Sequence, residues 1–240
     1  VLTALKQAGP EVNVVVAYGQ IIPASVIYLP PFKTLNVHFS LLPKYRGAAP
    51  VQWAILNGDR TTGVTIMELN EKMDQGPILA QEEVEILPGE NARELEIRLS
   101  YLGARLLVNT LARIGEIRPV PQAAELATYA PKLTKEQGQI NWLEPAQAID
   151  LKVRAFFPWP GAYSYLAGKK FEILSGQPLT GAYTASSPAE IIQIDKPGIY
   201  VACGQNTIYL IEKIKPESKK EMLAYAFSLN GKIKTGSKFG

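Results

Sequence analysis

Residues 34–47 carry the sequence TLNVHFSLLPKYRG, and the fold predicted for the first half of the chain is centred on this segment. The alternation within Thr34–His38 predicts a short β strand that leads directly into an irregular loop. Before it, the nearly continuous apolar run Val12–Tyr18 is typical of a buried parallel strand. After it, the apolar run Gly63–Leu69 predicts another strand, and the period-2 pattern of Ile78–Ile86 predicts an exposed antiparallel edge strand.

Helical patterns separate these strands. One helix is expected to begin after Pro50 and to end at Asn57 and Gly58. Asn91 is suited to cap a longer helix, whose leucine stripe continues until Gly115. Because strands alternate with helices, we predict an α/β domain built on an open, Rossmann-like, mostly parallel sheet.

The second half of the chain has a different pattern. Residues 118–137 contain three prolines and weak periodicity, which predicts a linker between a domain at 1–117 and another at 138–240. A helix is expected around Ala146–Phe157, and five short β-rich runs follow it. These runs are Ala162–Leu166, Lys170–Leu174, Glu190–Ile194, Ile199–Cys203 and Thr207–Ile214. They favour a small antiparallel barrel of the oligonucleotide-binding (OB) type, although a five-stranded sheet fits the pattern equally well.

Composition narrows the function classes. The chain has 240 residues, 47% hydrophobic and 20% charged, with a net charge of +3, which excludes a disordered or fibrous protein. No apolar run approaches the roughly 18 residues that span a bilayer. The single cysteine, Cys203, favours a reducing compartment, and we expect the cytoplasm. With one histidine and no cysteine cluster, a metal site is disfavoured, and any histidine chemistry must use His38.

Asn36 and His38 form the best candidate for chemistry. They are two residues apart on one strand, so they share a face at its C-terminal end, where open α/β sheets bind ligands. Both side chains can donate to one oxygen, as the oxyanion of an acyl-transfer intermediate requires. Asp74, in the loop before Gly76, is the best placed carboxylate to orient the imidazole. The alternatives stay open: a histidine that is only structural, and an aspartate that only forms a turn.

Several stretches resemble one known family, the 10-formyltetrahydrofolate-dependent formyltransferases. They are LNVHFSLLPKYRGAAP at 35–50, GVTIM at 63–67 and MDQG at 73–76. Further stretches are similar to the branch of this family that acts on aminoacylated tRNA: TYAPKL at 128–133, INW at 140–142, RAF at 154–156 and PWP at 158–160. The resemblance covers nearly the whole chain.

The resemblance implies a reaction and a set of site residues. The formyl donor would be 10-formyltetrahydrofolate, with no metal, and the acceptor would be the α-amino group of methionyl-initiator tRNA, used in translation initiation by a monomeric enzyme. The residues matching the family's catalytic set are Asn36, His38 and Asp74. Those matching its folate-associated segment are Ser40, Leu41, Leu42 and Pro43. Those matching its wall around the pterin ring are Tyr18, Gly19, Ile21 and Ile22.

The chain departs from the family in two places. Phe39 stands where the family commonly has a small residue, so its ring either narrows the entry beside Ser40 or faces away. Relatives also begin with a further βαβ unit and carry a basic loop there. The chain therefore resembles an N-terminally truncated form, with an exposed flank expected on the strand at Val12–Tyr18.

The basic C-terminal region predicts a tRNA contact. Residues 160–240 hold 10 Lys and Arg against 6 Asp and Glu. The lysines concerned are Lys213, Lys215, Lys219, Lys220, Lys232, Lys234 and Lys238. Lysines bind phosphates without reading sequence, although such a surface is also often only solvated.

Two enzymatic rivals would use the same catalytic residues, and a third alternative is not an enzyme. A sugar-amine formyltransferase shares most motifs, but Tyr129–Leu133 and the basic C-terminus favour tRNA. A formyltetrahydrofolate hydrolase would use water as the acceptor and needs no basic domain. An inactive tRNA-binding fragment would bind tRNA without binding folate.

Overall fold

Two units make up the chain. A computed structural model describes residues 2–179, 187–229, 231 and 233–240. The first unit comprises residues 1–54, 59–87 and 94–132, and the second comprises residues 55–58, 88–93 and 133–240. Within the described ranges, no helix has both the length and the apolarity needed to cross a membrane.

Helices and strands are interspersed up to residue 132, where two pairs of strands follow one another without a helix between them. In chain order they are α1 Leu2–Ala8, β1 Asn13–Val16, α2 Ala24–Ile27, β2 Thr34–His38, β3 Arg46–Gly47, α3 Pro50–Leu56, β4 Thr61–Glu68, β5 Ile78–Glu85, α4 Ala92–Leu111 and β6 Tyr129–Ala130. The predicted strand Thr34–His38 is confirmed to the residue. The helix predicted to reach Gly115 ends at Leu111, and hydrogen-bonded turns follow it.

The main sheet of the first unit is mixed, so the prediction of a mostly parallel sheet is wrong for the described residues. Its strand order is β1-β2-β4-β5. β1 is parallel to β2, whereas β2–β4 and β4–β5 are antiparallel. Only residues 69–77 join β4 to β5. That connection is shorter than the dozen or so residues that a parallel crossover needs. β5 forms one edge of this order, as its alternating pattern predicted.

β1 differs from the buried strand that its composition predicts. Its residues alternate between half-buried and exposed, and Val14 and Val16 are 42% and 50% exposed. Among the described residues β1 pairs with β2 alone, so one flank of the strand has no ladder partner there. β-branched composition therefore identified the strand but not its burial.

Helix α4 packs against the sheet through a glycine. A Cβ at Gly103 would lie 2.9 Å from Val37 Cγ1, so a larger residue would push the helix away from β2. Phe39 Cε1 is 3.5 Å from the same point. Val37 and Phe39 therefore face α4, while Asn36 and His38 point to the opposite face of β2. Of the two positions left open for the Phe39 ring, the structure shows the one facing away from Asn36 and His38.

The second unit is mainly antiparallel β structure, preceded and followed by helices. Its elements are α5 Ala146–Ala155, β7 Ala162–Leu166, β8 Lys169–Leu179, β9 Ile191–Asp195, β10 Gly198–Ala202, β11 Ile208–Pro216, β12 Met222–Leu223 and α6 Ala224–Ser228. The five predicted strands are confirmed as β7 to β11, and they pair in the order β7-β8-β11-β10-β9. Both ends of this order bond to the C-terminal segment, through the bridges Leu166 to Phe239 and Glu190 to Lys238.

Candidate active site

The C-terminal half of β2 presents two polar side chains on one face. Asn36 is half-buried, and its backbone lies opposite Val15 of β1 and Met67 of β4. His38 is the last residue of the strand, lies opposite Thr65 and is 6% exposed. In the part of the chain that the structure describes, the Asn36 amide has no hydrogen-bond partner. It is therefore free to donate to a bound molecule.

The two ring nitrogens of His38 face acceptors. Nε2 lies 2.9 Å from the carbonyl oxygen of Tyr45, and because a carbonyl only accepts, Nε2 carries a hydrogen. Nδ1 lies 3.8 Å from Asp74 Oδ2. This separation is too long for a direct hydrogen bond, so Nδ1 is the nitrogen available to a ligand or to a bridging water.

The Tyr45 carbonyl is held in place by hydrogen bonds from the backbone N–H and the phenol of the same residue. Tyr45 adopts a left-handed backbone with φ of 61°. Its N–H donates to Thr128 Oγ1 at 2.9 Å, and its phenol donates to Asp59 Oδ2 at 2.8 Å. Orientation of the imidazole thus depends on residues distant in sequence.

Asp74 is brought to His38 by a tightly approached loop. Its Oδ2 accepts a hydrogen bond of 2.8 Å from the N–H of Gly47. A Cβ at Gly76 would lie 1.8 Å from the Glu68 carbonyl oxygen, so only glycine fits there.

An aromatic contact ties the same loop to helix α2. Tyr28, the residue after α2, donates from its phenol to Glu71 Oε2 at 2.8 Å. This hydrogen bond raises the pKa of Tyr28 and lowers that of Glu71.

Gln122 is a site residue that the sequence did not reveal. Its Nε2 donates to the carbonyl oxygens of Asp74 and Gly76 at 3.0 and 2.7 Å. Its Oε1 accepts from Nε and Nη2 of Arg46 at 3.0 and 2.7 Å. Gln122 lies in the segment predicted as a linker, whose part up to residue 132 belongs to the first unit. Its one sequence cue is an amide side chain directly after Pro121.

The segment Ser40–Pro43 is fixed through its backbone. Thr65 Oγ1 donates to the Ser40 carbonyl at 2.6 Å and accepts from Leu42 N at 3.1 Å, and Gln81 Nε2 donates to the Leu42 carbonyl at 2.8 Å. Ser40 is fully buried and its hydroxyl donates to the Lys44 carbonyl at 2.6 Å, so it is not an accessible nucleophile. Leu42 is also buried, while Leu41 and Pro43 are half-buried.

The residues after β1 lie at the surface. Because β1 and β2 are parallel, the residues that follow them lie at the same end of the sheet, where both strands terminate. Tyr18 is 58% exposed, Ile21 is 97% exposed, Gly19 is exposed and Ile22 is half-buried. The structure therefore brings Asn36, His38 and Asp74 together and leaves this apolar segment uncovered.

The lysines that the sequence predicts to contact tRNA belong to the second unit. Lys213 and Lys215 lie 3.8 and 3.7 Å from Glu221 and Glu172, and the Lys219 ammonium lies 5.6 Å from the Phe227 ring centroid. Lys220, Lys234 and Lys238 are exposed, and Lys232 lies outside the described residues.

Neither a metal cluster nor a reactive thiol stands out. Across the described ranges, no three His, Cys, Asp or Glu side chains are grouped closely enough to hold a metal ion. Cys203 is buried, and burial raises the pKa of its thiol to about 12.

Similarity to known proteins agrees with this geometry. The chain matches the formyl transferase family over residues 1–111 and the formyl transferase C-terminal domain over residues 132–232. It is 42% identical over 224 residues to methionyl-tRNA formyltransferase of Enterococcus faecalis, covering 92% of this chain and 71% of that protein. It is 43% identical over 238 residues to methionyl-tRNA formyltransferase of Solibacter usitatus, covering 98% and 75%.

A solved structure shows the same fold at lower identity. HypX from Aquifex aeolicus, in complex with tetrahydrofolic acid, superposes with a TM-score of 0.73 at 21% identity. The match covers 97% of this chain and 41% of that one. At this identity the likeness concerns the fold.

Proposed function

The chain belongs to the methionyl-tRNA formyltransferase family, and on that premise we propose that it transfers the formyl group of 10-formyltetrahydrofolate to the α-amino group of methionyl-initiator tRNA. One observation carries the proposal for the site: a half-buried Asn36 amide without a partner in the described chain, on the same strand face as a histidine whose Nδ1 is open. This pair can donate to one developing oxyanion.

The proposed reaction begins with attack by the neutral amine of methionine on the formyl carbon. A new C–N bond forms, and the formyl oxygen takes the negative charge of a tetrahedral intermediate. The Asn36 amide and a protonated His38, through Nδ1–H, donate to this oxygen. Because Nε2–H is directed to the Tyr45 carbonyl, the ring cannot rotate freely, and Nδ1 keeps its aim.

Collapse of the intermediate breaks the bond from carbon to N10 of the folate. The amine nitrogen has to lose one proton and N10 has to gain one, so the transfer releases and takes up no net proton. Asp74, with its Oδ2 3.8 Å from Nδ1, stabilises the charged ring and relays this proton through a water molecule.

The folate would be held beside these groups. We propose that Ser40, Leu41, Leu42 and Pro43 line the donor site together with Tyr18, Gly19, Ile21 and Ile22. Support comes from the position of both segments at the C-terminal ends of the parallel strands β1 and β2. The exposed apolar side chains of Tyr18 and Ile21 also suit a flat heterocycle. HypX, which has the same fold, holds tetrahydrofolic acid in its solved complex.

The second unit would bind the tRNA. We propose that residues 138–240 form an OB-like barrel, in which the C-terminal segment joins β7 to the residue before β9. Its exposed lysines would contact phosphates, and translation would place the reaction in the cytoplasm. The double variant Lys219→Ala/Lys220→Ala should lower the salt slope of tRNA binding by about 1 to 2 units. An unchanged slope would remove this pair from the interface.

The direct test is transfer of labelled formyl from 10-formyltetrahydrofolate to initiator tRNA charged with methionine. Formyl-methionyl-tRNA as product supports the proposal. Loss of the label to water at the same rate without tRNA would instead identify a hydrolase. Label on an amino-sugar nucleotide, with none on tRNA, would identify a sugar formyltransferase. Binding of tRNA without binding of folate would leave only the tRNA-binding role.

A further inference from the structure

The loop that carries Asp74 has an uncommon backbone conformation. Asp74 has φ of 53°, in the left-handed region that costs most non-glycine residues roughly 1–2 kcal/mol, although aspartate tolerates it better than most. Such a conformation persists where surrounding contacts determine it, and it often marks a functional position. The contacts that hold Asp74 therefore bear on the geometry between its carboxylate and His38.

Gln122 supplies two of these contacts. Its Nε2 donates to the carbonyl oxygens of Asp74 and Gly76, on both sides of the loop's tightest point. An NH2 group has two hydrogens, so both carbonyls take one each. These bonds fix the backbone that carries the carboxylate without occupying the carboxylate oxygens.

Arg46 in turn fixes Gln122. It is 4% exposed, and two of its N–H groups converge on Gln122 Oε1. Across the residues that the structure describes, no carboxylate lies within ion-pair distance of this guanidinium. Donation from a buried cation polarises the amide and strengthens the hydrogen bonds that its Nε2 donates.

The same short strand holds the carboxylate itself. Gly47, next to Arg46 in β3, donates its N–H to Asp74 Oδ2. β3 is itself tied to β6, because Arg46 N donates to the Thr128 carbonyl at 2.9 Å and Ala48 N donates to the Ala130 carbonyl at 2.9 Å. Asp74 is thus held at its side chain by β3 directly and at its backbone by β3 through Gln122.

We propose that Gln122 is a positioning residue for the transfer reaction, which sets the distance between the Asp74 carboxylate and His38 Nδ1 through the backbone of the 74–76 loop. This rests on the proposed function for the reaction that it serves. Among the described residues the hydrogen bonds of Gln122 go to Arg46, Asp74 and Gly76 and not to His38, so its effect on His38 passes through Asp74.

Kinetics test this with an isosteric variant. Gln122→Met should lower kcat for formyl transfer roughly 10- to 100-fold, as expected when a catalytic group is misplaced by about 1 Å. The KM for 10-formyltetrahydrofolate should change less than about threefold, because no folate contact is assigned to Gln122. Gln52→Met is the matched control. It removes the 2.8 Å hydrogen bond that the Gln52 amide donates to Glu96 in the same unit, and it should keep wild-type kcat.

A double-mutant cycle separates positioning from general stability. In an Asp74→Asn background, adding Gln122→Met should lower kcat by less than about threefold, because both substitutions act on the same function, that of the Asp74 carboxylate. A full 10- to 100-fold loss in that background would overturn the proposal. Should Gln122→Met fail to fold, Gln122→Glu replaces it: the new carboxylate pairs with Arg46 but cannot donate to the two carbonyls.

A spectroscopic readout needs no activity at all. His38 is the chain's only histidine, so its ring nitrogens give a single set of ¹⁵N signals. Gln122→Met should shift the Nδ1 signal in the same direction as Asp74→Asn, and Gln52→Met should leave it in place. An unmoved Nδ1 signal overturns the positioning role. A wild-type protein that transfers no formyl group overturns the proposed function instead, and the two failures are distinct.

Discussion

The groups assigned to the reaction reach the site by two different routes. Asn36 and His38 lie two residues apart on β2, and ladder partners on both flanks of the strand fix Asn36. Asp74 lies on a loop whose shape depends on Gln122, 48 residues further along the chain. Local periodicity places Asn36 and His38 on one face of the strand, and the Tyr45 carbonyl then orients the His38 ring. The position of Asp74 depends on tertiary contacts throughout. Substitutions should therefore affect chemistry alone on β2, but both chemistry and position on the loop.

The largest effect is expected on the strand. Asn36→Ala and His38→Ala should each lower kcat by on the order of 10²–10³-fold, because each removes one donor to the oxyanion. The β2 backbone ladder does not depend on either side chain, so thermal unfolding of Asn36→Ala should match that of the wild type within a few degrees. Formylation at saturating substrates measures the effect, and wild-type turnover in either variant would exclude an oxyanion role.

On the loop, a single methyl group should disturb position. Gly76→Ala places a Cβ 1.8 Å from the Glu68 carbonyl oxygen, so the loop must move. We expect kcat to fall roughly 10- to 100-fold, and the free energy of unfolding to fall by about 1–3 kcal/mol. Gly115→Ala is the control, because a Cβ there has nothing within 4 Å. Equal kcat in the two variants would show that the 74–76 loop tolerates displacement and that the position of Asp74 does not limit the reaction.

The same division explains what the sequence could predict. β2 was predicted to the residue, and the five strands of the second unit were found, because periodicity and turn residues are local signals. The direction of pairing is only partly a local signal: the alternation in β5 predicts an antiparallel edge strand, which is confirmed, whereas the apolar composition of β4 does not indicate that it pairs antiparallel to β2. Burial of β1 was also missed, since it depends on neighbours rather than on Val14 and Val16 themselves.

The candidate site follows the same rule. The spacing of Asn36 and His38 predicts their pairing, and the glycine-containing loop after the neighbouring strand indicates Asp74 as their carboxylate, which the structure places 3.8 Å from His38 Nδ1. Gln122 could not be found, because a hydrogen bond across 48 residues leaves no pattern in a segment of weak periodicity. The folate-associated residues around Ser40 remain a prediction.

Two threonines of one strand test how the backbone of Ser40–Pro43 is held. Thr65→Val removes the hydroxyl that serves Ser40 and Leu42, which should lower the free energy of unfolding by roughly 1–3 kcal/mol. It should also raise the KM for 10-formyltetrahydrofolate about three- to tenfold with a smaller change in kcat.

The control for that substitution lies on the same strand. The hydroxyl of Thr62 is buried and has no partner within the described residues, so Thr62→Val should be neutral or slightly stabilising. Chemical denaturation and steady-state kinetics of both variants settle the comparison. If Thr65→Val is destabilised but its KM for 10-formyltetrahydrofolate is unchanged, the segment Ser40–Pro43 does not contribute to folate binding.

The smallest effect is expected where support is shared. Thr128→Val removes the acceptor for Tyr45 N–H, but Tyr45 keeps its phenol bond to Asp59. The carbonyl that orients His38 should therefore shift only slightly, and kcat should fall roughly two- to fivefold, equivalent to at most about 1 kcal/mol. Thr61→Val, which loses only a 3.4 Å contact with Glu83, should leave kcat unchanged. A loss above about 20-fold in Thr128→Val would mean that the strand-borne His38 depends on distant contacts as strongly as Asp74 does.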